Sequence, residues 1–270
     1  MSLSSTPIIE TRLGQSFVQP LLQGNRPAAR AAIEQLLAAG VQPVELLSSL
    51  IWPAMELIQV MHKEDRINSS TMNLATRLNR VIADQLAAKL PHKPSNGKKV
   101  LIVCGDAEPE ELGGQICTEL FEYEGYDVRF AGGGVPNDEV LEIVGEYRPN
   151  LLVLFGTLPS GMPAVRKLID YLREINSNPG MQVMCCGGIY KRAEGLAEEV
   201  GADLFAADAR DAVKAAQQQP QRKATAAQQT VGRTRRIRAA AESTRRPAAK
   251  TDGHAVLGRI DAAMPVSRAV

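Results

Sequence analysis

Apolar residues in the first ninety positions recur at steps of three and four, the spacing of one buried helix face. Ile8 to Leu22 reads as a first helix, and Gln23-Gly24-Asn25 as a turn whose Asn25 caps the next helix, with Pro27 in its first turn. Ala28 to Ala39 has strong helix composition and Gly40 ends it. Pro43 to His62 carries Leu46, Leu47, Leu50, Ile51, Met55, Ile58 and Met61 as a broad stripe. Asn68-Ser69-Ser70 offers capping side chains before a fourth helix, Ser70 to Leu90, with Leu74, Leu78, Val81, Ile82 and Leu86. Four amphipathic helices with short joints predict an antiparallel bundle over 1–90.

Residues 91–98, with two prolines and a glycine, read as a linker. Beyond them the rhythm changes. Apolar runs at Val100–Cys104, Val128–Ala131, Leu151–Phe155, Val183–Cys186 and Leu204–Ala206 alternate with longer amphipathic segments. Continuous apolar strands separated by helices predict an α/β domain over 99–216 with a parallel sheet covered on both faces. Five strands at this spacing favour the flavodoxin-like order 2-1-3-4-5. The pattern fails after about Ala216: residues 217–270 are rich in Gln, Ala, Thr and Arg and poor in large apolar groups, the composition of a disordered tail.

Charge adds an asymmetry to this plan. From Gln221 to Val270 there are eleven Lys and Arg against three Asp and Glu, so a basic tail follows an acidic body. Arg233–Arg238 and Arg245-Arg246 suit weak phosphate contacts with nucleic acid, and equally suit a solvated linker. Four irregularly spaced cysteines inside apolar runs imply a reducing, cytoplasmic setting without disulfides. No apolar stretch of eighteen residues argues for a membrane span.

The most chemical stretch is Cys104-Gly-Asp-Ala-Glu-Pro-Glu-Glu-Leu-Gly-Gly114, where the first strand runs into an acidic, glycine-ended turn that opens a helix. Ligands of parallel α/β sheets bind beyond the carboxyl ends of the strands. Asp106, Glu108, Glu110 and Glu111 crowd this turn; they suit a hard cation, and equally complement a helix dipole.

A helical cap before a flavodoxin-like domain resembles the cobalamin (B12)-binding family of corrinoid carrier proteins and B12-dependent light-sensing regulators. Gly125-Tyr-Asp-Val-Arg-Phe-Ala-Gly-Gly-Gly-Val-Pro136 looks like that family's second strand and turn, Cys186-Gly187-Gly188 like its glycine pair, and Gly201–Asp208 like its last strand. The family's first turn reads Asp-x-His-x-x-Gly, its His serving as lower ligand to cobalt. Counted back from Gly113, the Asp place holds Glu108 and the His place Glu110, so the imidazole is missing. The family's Ser-x-Leu after the third strand aligns with Gly156-Thr157-Leu158, which leaves Ser160 as a nearby hydroxyl. The cofactor-binding candidates implied are therefore Glu108, Glu110, Gly113, Gly156, Leu158, Ser160, Gly187 and Gly188, with no catalytic set and no assigned metal ligand. In the light-sensing relatives the cap adds an aromatic residue and a Glu-His pair; here Trp52 falls a turn early and His62 stands alone.

A carboxylate oxygen does not do the work of an imidazole nitrogen on cobalt. Cobalamin, if held, is therefore expected in a mode other than His-on. The resemblance implies a non-enzymatic regulatory or sensory protein, dimeric and working with a protein partner in signalling or transcription. The alternatives are a corrinoid methyl carrier of a methyltransferase system, or a degenerate scaffold that acts as an interaction protein without cobalamin.

Overall fold

The structure, a computed structural model, describes residues 12–222. Helices α1 (Arg12–Leu22), α2 (Arg26–Ala38), α3 (Pro43–Leu46), α4 (Trp52–Lys63) and α5 (Ser69–Ala87) build the cap. Asn25 and Asn68 cap α2 and α5, accepting from the backbone N–H groups of Ala28 and Thr71. The third expected helix is continuous from Pro43 to Lys63 but contains a π turn, Leu47–Ile51, between α3 and α4. Pro53 explains it: its ring crowds the preceding turn and it lacks an N–H, and a wide turn absorbs both defects. The Asn79 side chain donates to the Ile51 carbonyl at 3.0 Å. By length and composition this stretch would cross a membrane, yet Leu46, Leu50, Ile51, Met55 and Ile58 are buried in the cap core, as in a core helix.

The sheet contains β1 (Lys99–Cys104), β2 (Asp127–Gly132), β3 (Leu151–Phe155), β4 (Gln182–Cys186) and β5 (Leu204–Ala206). Its order is β2-β1-β3-β4-β5, all parallel, as the spacing predicts. Alternation along β1 divides the interior. Val100, Ile102 and Cys104 join a core shared with the cap, α6 (Glu108–Tyr123) and α11 (Ala209–Gln218). Leu101 and Val103 join a second core with α7 (Asn137–Tyr147) and α8 (Met162–Ile175). The short helices α9 (Gly188–Arg192) and α10 (Leu196–Glu199) lie between β4 and β5 in sequence.

The start of the compositional tail is structured. Residues Gln217 and Gln218 finish α11, and Arg222 Nε lies 3.0 Å from the Asp203 carboxylate, which also pairs with Arg173. The expected nucleic-acid contacts at Arg233–Arg238 and Arg245-Arg246 lie outside the described residues.

Candidate functional site

Helix α6 opens directly after β1, at the point where strand order reverses between β2 and β3. Pro109 suits its first turn, where a missing N–H costs nothing, and acidic groups there oppose the positive helix end. The consecutive residues Glu110 and Glu111 diverge to the two neighbouring strands. Glu110 is buried, and its Oε1 accepts from the Thr157 backbone N–H at 2.5 Å, the Thr157 hydroxyl at 3.1 Å and the Leu158 backbone N–H at 3.1 Å. Glu111 Oε1 accepts from the Gly133 N–H beyond β2 at 2.6 Å, and its other oxygen lies 3.6 Å from Arg80 of α5. Two carboxylates of the acidic turn thus staple it to the turns on either side. Among the described residues, no cluster of His, Cys, Asp and Glu is arranged to hold a metal ion.

Phe155, the last residue of β3, fills the space above this turn. A Cβ on Gly113 would come within 2.2 Å of its ring, so the glycine is needed for close contact between α6 and the aromatic. Gly187 has φ +111°, and a Cβ there would lie 2.5 Å from the Gly156 carbonyl oxygen and 2.9 Å from the Phe155 ring. From the cap, Trp52 meets Phe155 edge-on, with ring centroids 5.6 Å apart and planes at 80°. Gly113 and Gly187, which the resemblance implies as cofactor-binding positions, make room here for a phenyl ring.

Two cavities border Phe155. The first, about 150 Å³, is lined by Glu110, Gly156, Leu158 and Ser160, and by Met162 and Leu168 of α8. The second, about 190 Å³, lies between the cap and the sheet, where Trp52, Met55 and Lys63 face Phe155, Gly188 and Arg192. Glu110, Gly156, Leu158 and Ser160 therefore converge, Gly113 and Gly187 back the Phe155 ring, and Gly188 lies under the Arg192 guanidinium. Glu108 begins α6. His62 Nε2 lies 3.2 Å from Ser69 Oγ, a local contact between adjacent helices.

Sequence reasoning passed over Phe155 and Arg192, and weighed Glu111 only as part of the acidic turn. A large aromatic at the end of a central strand, opposite a glycine one turn into a helix, was the available signal for the first. The four cysteines are buried. Burial, opposed by a hydrogen bond with Tyr190, pushes the Cys185 thiol up to about 12, which removes thiolate character at neutral pH.

These residues do not fit a corrin held from below by the protein. The group at the place that the resemblance assigns to the lower ligand, Glu110, is a carboxylate already committed to three donors. Sites for drug-sized ligands run to roughly 300–1,000 Å³, and a corrin with its nucleotide tail is larger, whereas the cap–sheet cavity is about 190 Å³.

No known family profile matches the chain. It is 22% identical over 206 residues to dimethylamine corrinoid protein 1 of Methanosarcina mazei, covering 76% of this chain and 94% of that protein. It is 23% identical over 193 residues to monomethylamine corrinoid protein 1 of Methanosarcina acetivorans, covering 68% and 86%. The solved monomethylamine corrinoid protein of Methanosarcina barkeri superposes with a TM-score of 0.65 at 19% identity, over 76% of this chain and 97% of that one. The chain thus shares the fold of that solved protein, helical cap and sheet together.

Proposed function

We propose that the chain is a non-enzymatic scaffold of the corrinoid-carrier type that works through a protein partner and does not hold cobalamin. One observation carries this reading: the carboxylate of Glu110, at the lower-ligand place, is turned into the β3 turn by Thr157 and Leu158. Sequence similarity to corrinoid proteins along nearly their whole length supports the carrier architecture over the regulatory one. The packing of Phe155 between Gly113, Gly187 and Trp52 supports a face filled by the chain's own side chains.

A second reading is a methyl carrier that holds cobalamin with the cofactor's own base attached, and the corrinoid names of the relatives favour it. A Glu110→His variant separates the site from the scaffold. If the side chains close the face, restoring the imidazole gains no affinity for hydroxocobalamin. Tight binding by the variant would mean that the face is open and only the ligand was lost.

A further inference from the structure

The cavity between cap and sheet has the chemistry of a small site in its own right. Its wall is apolar, made by Trp52, Met55 and Phe155. Trp52 is 3% exposed, and its indole N–H is buried without a hydrogen-bond partner among the described residues; the Gln59 amide nitrogen, in the same lining, is likewise without one. Buried donors without acceptors are rare, and each costs free energy unless a ligand or water supplies the acceptor.

Cations gather at the rim. Lys63, Lys191 and Arg192 all border the cavity. Glu56 lies 3.8 Å from Lys191, while among the described residues no carboxylate forms an ion pair with Lys63 or Arg192. Arg192 donates one nitrogen to the Thr157 carbonyl at 2.5 Å, which fixes its planar head over Gly188. Partial burial, then the Arg192 charge, push the Lys63 ammonium below its ordinary value, against the pull of Glu110. Glu56 also borders the cavity and answers Lys191, so the cations left over the unpaired donors are Lys63 and Arg192, and they describe an acceptor-shaped gap.

We propose that this cavity binds a small monocarboxylate with an apolar tail, its carboxylate between Lys63 and Arg192 and its tail against Trp52, Met55 and Phe155. The planar guanidinium matches a carboxylate in charge and fork geometry. The wall excludes a highly charged anion, which would lose its hydration against apolar surface. The space, about 190 Å³, is below the roughly 300–1,000 Å³ of sites for drug-sized ligands, which suits a small molecule. The proposal rests on the cobalamin-free reading above, because a corrin would occupy the same face.

Trp52 is the chain's single tryptophan, so its fluorescence reports on this wall directly. The experiment titrates hexanoate, 1-hexanol and inorganic phosphate into the full chain, and assays hydroxocobalamin retention on the same preparation. The expected result is a saturable change in Trp52 emission with hexanoate, about tenfold weaker with hexanol and absent with phosphate. Lys63→Gln and Arg192→Gln are each expected to weaken hexanoate about tenfold; Lys63 is exposed, and an unchanged melting temperature shows that its variant folds. No saturable change, an equal response to hexanol, or affinities unmoved by both variants would overturn the proposal. Absent hexanoate binding with no cobalamin retained defeats this inference alone. Retained cobalamin defeats the reading beneath it.

Discussion

The Glu110 carboxylate accepts the Thr157 backbone N–H at 2.5 Å and the Thr157 hydroxyl at 3.1 Å, tying the start of α6 to the end of β3. A buried acceptor of several donors stabilises because removing it strands those donors away from water. Glu110→Ala is therefore expected to lower the unfolding free energy by about 2 kcal/mol or more. Glu110→Gln, which keeps a carbonyl acceptor, should lose less. Urea denaturation of the two variants checks the order, and equal losses would show that the hydrogen bonds carry no part of it.

Gly113 and Phe155 are fitted to one another. Adding a methyl at Gly113 places it within 2.2 Å of a ring already packed against Gly187 and Trp52, so the ring must leave those contacts and shift toward one of the cavities beside it. Gly113→Ala is expected to destabilise by about 1–3 kcal/mol, the usual range for overpacking. Combining it with Phe155→Leu should cost less than the sum of the two changes, because the smaller side chain vacates the contested space. Strict additivity in a double-mutant cycle would refute the contact.

Glu119 offers a pH test. Burial, then the nearby Glu122 and Asp84, push its carboxyl above the ordinary value, against a smaller opposing effect of His92. A raised folded value means that the neutral acid is favoured in the fold. Its stabilisation is present below the ordinary glutamate range and is lost as pH rises through the folded value. Glu119→Gln is accordingly expected to gain stability relative to the parent as pH rises from about 4 toward neutrality. Melting temperatures across that range check the slope; a variant that loses stability relative to the parent as pH rises contradicts the assignment.

The architecture was legible because both periods were clean: steps of three and four in the cap, then apolar runs such as Leu151–Phe155 at the spacing of crossover helices. The π turn was less so, because Pro53 announces a defect in the helix without saying where the backbone will absorb it. At the candidate site, sequence singled out Glu110 and the glycines but could not give their contacts. Glu110 meets Thr157 across 47 residues, a pairing made by strand order and invisible to local spacing. Arg192 was hidden for the same reason: a lone arginine after a glycine pair acquires meaning only when the cap places Lys63 beside it.

In the proposed reading the chain's own side chains take the place of a corrin. The most direct measurement is the visible absorption spectrum of the purified full chain after incubation with hydroxocobalamin and desalting. The expected result is a colourless protein. A retained red chromophore, stoichiometric with protein, would contradict it and establish that Glu110 and Phe155 yield the face to cobalamin.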